Sequence, residues 1–315
     1  MTRDRFLDML RAIAIVRVVI VHMSGATETL GWPLLAYVAP GMPLVFFVSG
    51  SLALASLDPR RESHRSDASF RRDRLRRLLL PYWAFIATIV LIGVATGHLW
   101  FMSSFLVMTV LAPQMVRLYR RLSWAPAAIT GATFAVVQSV EAFAEFELPH
   151  ELDRLSLFAF CYVAGFWYQD GRAVWERSTH VVVAAALAVV AVAYHRVDRA
   201  IPNATEPMHA LVGAAWLQVL LAARPAIQWV GERCSAVLGR ITKRTLTVYL
   251  WGWPTTMAAS RLARSLSWTG AMRTACIYVS GLGLLAVAVA VFGSFEDQAA
   301  GRARVRRIQT EGSLV

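Results

Sequence analysis

Ten apolar segments of this chain can be drawn as membrane-spanning helices, the sixth, seventh and eighth of them short, and they limit its fold more than any other feature. A membrane-spanning helix needs about 20 mostly apolar residues. Because hydrocarbon offers the backbone no hydrogen-bond partners, such segments must be helical or form closed barrels. The sequence therefore predicts an all-α, polytopic transmembrane helix bundle that forms a single domain over residues 1–315. The expected spans are 6–24, 33–57, 78–97, 99–118, 124–143, 155–169, 180–194, 209–223, 245–262 and 272–292.

Charge agrees with this class and predicts an orientation. Hydrophobic residues make up 57% of the chain and charged residues 17%, while the net charge is +12. In a soluble protein such a charge would suggest a nucleic-acid partner, but in a membrane protein it reflects Lys and Arg held in cytoplasmic connections. An inside N-terminus gives the inner connections 24 of these residues and the outer connections 6. We therefore expect an N-in, C-in protein that binds membrane lipids and no nucleic acid.

The first predicted helix carries two ionisable residues on one face. Arg11 and His22 are eleven residues apart, which at about 100° per residue leaves them about 20° apart and roughly 16 Å apart along the axis. Ionisable groups inside a span are costly and suggest a function. Arg11 would meet an anionic donor or pair with Asp8, and His22 would act as a base or nucleophile. The alternative is structural, with His22 bonded to another helix and Arg11 reaching the lipid headgroups.

Three further features are candidates for a binding site. Ser49 and Gly50 follow a Pro- and Gly-interrupted stretch, where small residues permit close approach of a ligand or of another helix. Arg74 and Arg77 share a helix face in a dense basic run, which suits either the phosphates of a nucleotide-like donor or anionic lipid. Trp100 is typical of either an interfacial belt or a substrate platform. No metal pattern, Gly-rich phosphate loop or GxSxG motif is present.

The order of these motifs resembles the acyltransferase 3 family of bacterial membrane O-acyltransferases. An Arg-x10-His helix is followed by FFVSG, by RLRRLLLPYW, by HLWF and by a late YLxxxP, over nearly the whole ten-helix span. The resemblance implies His22 as the catalytic histidine with Arg11 at the other end of the motif. It also implies Ser49 and Gly50 as the Ser-Gly of an SGF-type motif, Arg74 and Arg77 at the donor entrance, and Trp100 opening the fourth helix.

The resemblance also implies an activity. A member of this family takes an acyl group, usually acetyl, from cytoplasmic acyl-CoA and delivers it to a hydroxyl on an envelope sugar, glycolipid or related small molecule. It would do so in the bacterial inner membrane and without a metal. Two positions depart from the family pattern. Ser51 follows Gly50 where Phe or Tyr is common, and Gly252 takes the place of a histidine in the late motif.

Two other functions remain open at this level. A transporter or flippase for a lipid or polyol would also have ten helices with broken segments. It gives no reason, however, for an arginine and a histidine on one face of the first helix. A non-catalytic assembly protein of an envelope pathway is the second alternative, and the absent late histidine keeps it open. Turnover of acyl-CoA distinguishes the three.

Overall fold

The computed structural model describes residues 4–27, 41–59, 64–92, 99–143, 150–173, 175–198 and 206–301. Over these residues the chain is all-helical, with twelve helices and no strand. The helices are, in chain order, α1 (Arg5–Thr27), α2 (Met42–Leu57), α3 (Asp67–Ile92), α4 (Trp100–Arg121), α5 (Ala125–Phe143), α6 (His150–Gln169), α7 (Arg177–Asp198), α8 (Glu206–Ala222), α9 (Arg224–Arg233), α10 (Ser235–Thr242), α11 (Thr245–Ser265) and α12 (Gly270–Ala299).

Ten of these helices fall on the ten predicted segments, and α9 and α10 lie in what the sequence analysis treated as a connection. By length and composition, three described helical stretches can cross a membrane: Phe101–Arg121, Arg177–Arg196 and Gly270–Ala299. Pro207–Ala222 and Arg224–Arg233 make a fourth if the two are counted as one bent span. A helical membrane protein is thus supported. The number of ten spans and the N-in, C-in orientation stay predictions.

The crossing of α2 and α6 is the closest helix contact in the core. A Cβ atom added to Gly50 would lie 1.9 Å from the carbonyl oxygen of Tyr162, and one added to Gly165 would lie 2.1 Å from that of Phe47. Neither position accepts a side chain, so backbone meets backbone here, as small residues allow between membrane helices. Ser51, the first departure from the family pattern, is fully buried beside this crossing and donates a hydrogen bond to Gln169 at 2.8 Å.

The start of α11 is tied to the end of α12 by acidic side chains. The Glu296 carboxylate accepts hydrogen bonds from the backbone N–H of Leu246 (3.1 Å) and from the Thr247 hydroxyl (2.7 Å). Arg244 donates to Asp297 and to the carbonyl of Gly293. These contacts satisfy N–H groups that the first turn of a helix leaves open. They also fix the register of α11.

The late WGWP stretch lies within α11, which is one helix from Thr245 to Ser265 and includes Pro254. A proline removes one helical hydrogen bond. The two residues after Pro254 donate hydroxyl hydrogen bonds to carbonyls that precede the proline. Thr255 donates to Trp251 at 2.8 Å, and Thr256 donates to Gly252 at 2.8 Å. Local Ser and Thr side chains of this kind allow proline inside a membrane helix.

An ion-pair network joins three helix ends. Arg120, in the last turn of α4, donates to Asp58 just after α2 at 2.7 Å and to Asp170 just after α6 at 2.8 Å. Tyr119 also donates to Asp170, at 3.1 Å. Removing one member of such a low-exposure group leaves an uncompensated charge. The network therefore holds these three ends at a common level.

Candidate functional site

Both ionisable residues of the Arg-x10-His motif lie on α1, which is continuous through them. Arg11 and His22 are each half-buried. The helix begins at Arg5, and Asp4 caps it by accepting hydrogen bonds from the N–H groups of Phe6 (3.0 Å) and Leu7 (3.3 Å). Asp8 forms an ion pair with Arg5 at 3.6 Å, and its pairing with Arg11 stays a prediction.

Arg11 lines a cavity of about 220 Å³, called the central cavity below. Helices from both halves of the sequence form its wall. Its polar lining consists of Arg11, Ser49, Arg74, Arg77, Thr242, Lys243, Thr245 and Glu296. Its apolar lining consists of Ile15, Met42, Val45, Leu78, Phe101, Phe105, Leu246, Tyr249 and Ala300.

The central cavity is charged at one end and apolar at the other. On α1, Arg11 precedes Ile15 by one turn, and on α11, Thr245 precedes Tyr249 by one turn. The opposite order holds on α2, which runs the other way, because Met42 precedes Ser49 by two turns. Phe101 packs on Tyr249 with ring centroids 4.9 Å apart, near the apolar end. Such a cavity suits a ligand with an anionic end and an apolar or uncharged end.

A second and larger cavity, of about 920 Å³, adjoins the charged end and is called the N-terminal cavity below. The two share Arg11. Further polar residues of the N-terminal cavity are Asp4, Arg5, Asp8, Ser56, Arg65, Gln169, Arg224, Gln228 and Glu232. A small cavity of about 90 Å³ is lined by Arg65, Arg74 and Arg77 together with Asp73, which pairs with Arg65. Arginine groups suit phosphate oxygens, which accept paired hydrogen bonds from the guanidinium fork.

The His22 end of α1 faces α11. The rings of His22 and Trp253 are 5.2 Å apart between centroids and inclined at 68°, an edge-to-face contact. His22 is seven residues after Ile15 and Trp253 four residues after Tyr249, so both walls of the central cavity continue toward this pair. One turn before His22, Val19 faces Gly252, where an added Cβ would be 3.8 Å from the nearest Val19 methyl. The second departure from the family pattern thus leaves room on α11 close to His22.

The structure brings together four of the seven residues selected from the sequence. Arg11, Ser49, Arg74 and Arg77 all line the central cavity. His22 lies beyond its apolar end, beside Trp253. Gly50 lies at the α2–α6 crossing, where the structure gives it a packing role. The side chain of Trp100 is outside the described residues, although Trp100 begins α4 and the next residue, Phe101, lines the cavity.

Sequence reasoning did not single out Lys243, Glu296 and Tyr249 as site residues, or Trp253 as the neighbour of His22. Lys243 lies in a connection where the positive-inside rule alone accounts for a cation. Glu296 carried a usable signal, because it is an acidic residue near the end of a strongly apolar segment, where ionisable groups are costly. Tyr249 and Trp253 lie in the late YLWGWP motif, but nothing local shows that this motif meets the first helix.

Comparison with known proteins adds one match. The model of the acyltransferase domain family matches residues 4–294, nearly the whole chain. No curated protein and no solved structure matches the chain. The family match spans the residues that form the central cavity from Arg11 to Tyr249, but not Glu296 or Ala300.

Proposed function

Since the chain belongs to the acyltransferase 3 family and is an acyl-transferring enzyme, we propose that it moves an acyl group, usually acetyl, from cytoplasmic acyl-CoA to a hydroxyl. The acceptor is an envelope sugar, a glycolipid or a related small molecule, and the reaction runs in the bacterial inner membrane. The observation that carries the proposal is the central cavity, with cationic side chains at one end and an apolar end that leads toward His22.

The charge distribution of the cavity supports acyl-CoA as the donor. The phosphates of acyl-CoA would bind Arg74, Arg77 and Lys243 at the charged end of the cavity, with Arg11 beside them. The uncharged arm and its thioester would extend past Met42, Phe101 and Tyr249. Along α1 the rise from Arg11 to His22 is roughly 16 Å, so a donor held by its phosphates needs an extended arm to present its acyl group to His22.

His22 is the proposed catalytic residue. As a general base it accepts the proton of the acceptor hydroxyl while the oxygen attacks the thioester carbonyl. The C–S bond breaks, the ester C–O bond forms, and the CoA thiolate leaves and takes the proton from the imidazolium. In the second route the unprotonated ring nitrogen of His22 attacks the thioester carbonyl, the C–S bond breaks, and the CoA thiolate takes the proton of the other ring nitrogen. The acceptor hydroxyl then attacks the acyl-imidazole, the ester C–O bond forms as the C–N bond breaks, and the imidazole takes the hydroxyl proton.

The test uses the purified full chain in detergent with acetyl-CoA and a bacterial lipid and glycan extract. We expect release of free CoA thiol, and we expect His22→Ala to lower the rate by at least two orders of magnitude, the usual range for general-base catalysis being about 10²–10⁴-fold. His64→Ala changes a histidine exposed outside the helices and should keep the wild-type rate.

Two results would overturn the proposal. Transfer by His22→Ala at the wild-type rate removes His22 from the mechanism. Transport of a lipid or polyol by the wild-type chain in vesicles, with no CoA consumed, favours the transporter alternative instead.

A further inference from the structure

The short helix α9 leaves the direction of α8 abruptly. The two helices are joined at Ala223 and meet at a bend of 71°. If α8 crosses the bilayer, α9 therefore lies closer to the membrane plane than to the membrane normal. It is at the end of the molecule that holds the start of α1, because Gly231 of α9 packs against Arg5 and Met9.

The inner face of α9 is closely fitted to the protein. A Cβ atom added to Gly231 would lie 3.1 Å from Cγ of Met9 and 3.2 Å from the carbonyl oxygen of Arg5. Arg224 and Gln228, near the same face, line the N-terminal cavity. Ile227 packs against the apolar core, so α9 is held to the protein by Gly231 and Ile227.

The outer face of α9 exposes large apolar side chains beside charged ones. At about 100° per residue, Trp229 and Arg233 lie about 160° from Gly231 on the helix. Trp229 is 54% exposed and Val230 is 37% exposed. Val237 of α10 extends the surface with 56% exposure. Large apolar side chains exposed side by side indicate contact with a membrane or a partner.

Charge decides between these kinds of contact. Of the five basic residues in 224–244, Arg224 and Lys243 line the cavities and Arg244 binds Asp297. Arg233 and Arg240 are exposed on the surface, as is the one acidic residue, Glu232. The Arg233 guanidinium lies over the Trp229 ring, 3.6 Å from its centroid, so cation and aromatic ring occupy the same outer face. Trp beside Arg is typical of the level of lipid headgroups, and basic segments are attracted to anionic leaflets.

We propose that α9 and α10 lie on the inner leaflet as an interfacial segment that binds anionic phospholipid. Trp229, Val230 and Val237 enter the boundary between headgroups and acyl chains. Arg233 and Arg240 bind the phosphate groups. Because Gly231 holds α9 on the start of α1, this lipid contact is fixed directly beside the helix that carries Arg11.

Cys234 provides the measurement, because it is exposed between the two helices. Cys161→Ala and Cys276→Ala leave it as the single thiol of the full chain, ready for labelling with bimane. The labelled protein is placed in nanodiscs of phosphatidylcholine alone, or of phosphatidylcholine mixed with phosphatidylglycerol. Quenching by lipids with a headgroup nitroxide reports lipid contact, and quenching by acrylamide reports water.

We expect the nitroxide lipids to quench the label, and phosphatidylglycerol to increase that quenching and to reduce quenching by acrylamide. Arg233→Gln with Arg240→Gln should abolish the effect of phosphatidylglycerol, since each arginine near an anionic surface changes the association roughly fivefold. Arg233→Lys with Arg240→Lys keeps the charge and should keep the effect. Arg121→Gln changes an exposed arginine of α4 and should leave it unchanged.

The tryptophan has a matched control as well. Trp229→Ser should reduce nitroxide quenching in both lipids, whereas Trp124→Ser, at a position 64% exposed, should not. Strong acrylamide quenching that is equal in both lipids would show a segment in water and overturn the proposal. The proposal would also be overturned if neither quencher reached the label and light scattering showed a dimer. The segment would then be covered by a second copy of the chain.

Discussion

At the scale of single residues, Arg74 tests how the donor is held. Arg74 is half-buried on the wall of the central cavity, and its guanidinium lies 5.5 Å from the centroid of the Phe70 ring. A hydrogen bond to a charged group is worth about 1.5–3 kcal/mol. Arg74→Gln should therefore raise the KM for acyl-CoA roughly tenfold or more with a smaller change in kcat. Steady-state kinetics with varied acetyl-CoA measure both.

The control for Arg74 is on the same helix. Arg72 has a side chain that is 80% exposed, and it does not line the central cavity. Arg72→Gln should leave the KM within about twofold, as surface substitutions usually do little. An equal rise in KM for both variants would mean that general attraction by the basic run, rather than the cavity, holds the donor.

The Trp253 ring contacts the His22 ring and is placed to orient it. Edge-to-face aromatic contacts are worth about 0.5–1.5 kcal/mol beyond their buried area. Trp253→Leu removes the ring and should lower kcat roughly three- to tenfold while the KM for acyl-CoA stays near wild type. Trp253→Phe keeps a ring and should recover most of the rate. Trp83→Leu, at a position 60% exposed on α3, is the matched control and should leave both kcat and KM unchanged. A loss that is confined to KM would contradict a role in positioning His22.

At the scale of helices, Gly50 separates a packing role from a binding role. Gly50→Ala puts a methyl group 1.9 Å from the Tyr162 carbonyl oxygen, so α2 and α6 must move apart. Overpacking of this kind costs about 1–3 kcal/mol, and we expect a lower melting temperature in detergent. Gly283→Ala is the control, since no atom lies within 4 Å of its added Cβ. It should keep or slightly raise the melting temperature, because Ala favours helix. An unchanged melting temperature for Gly50→Ala together with a raised KM would instead assign Gly50 to the donor.

The same helices show what sequence alone predicts and what it does not. Hydropathy and helical spacing are local, so the positions of ten of the described helices followed from the sequence, as did the presence of Arg11 and His22 on one helix. The helices α9 and α10 did not, because they are short and lie in a basic connection. Glu296 and Lys243 were not placed beside Arg74, since contacts such as Arg244 with Gly293 decide which distant helices meet. Local sequence carries no signal for such contacts.

At the scale of the whole molecule, the charged ends of the cavities all lie at helix ends that must be on the same side of the membrane. Arg11, Lys243 and Glu296 lie near the start of α1, the start of α11 and the end of α12. Arg120 with Asp58 and Asp170 joins the ends of α2, α4 and α6. If acyl-CoA is the donor, this side is the cytoplasmic one, where acyl-CoA is made. The positive-inside count of 24 to 6 predicts the same orientation.

Two exposed serines test this orientation. Ser178 lies in the first turn of α7, on the predicted inner side, and Ser265 is the last residue of α11, on the predicted outer side. In a chain without its three cysteines, Ser178→Cys should react with a membrane-impermeant maleimide in inverted membrane vesicles and stay unlabelled in intact spheroplasts. Ser265→Cys should show the reverse pattern.

Labelling of both cysteines from one side would contradict the ten-span topology, because α7, α8 and α11 could not then all cross the bilayer. An exchange of the two patterns would put the arginines of the central cavity outside the cell, away from acyl-CoA. The donor assignment and the topology thus depend on the same measurement.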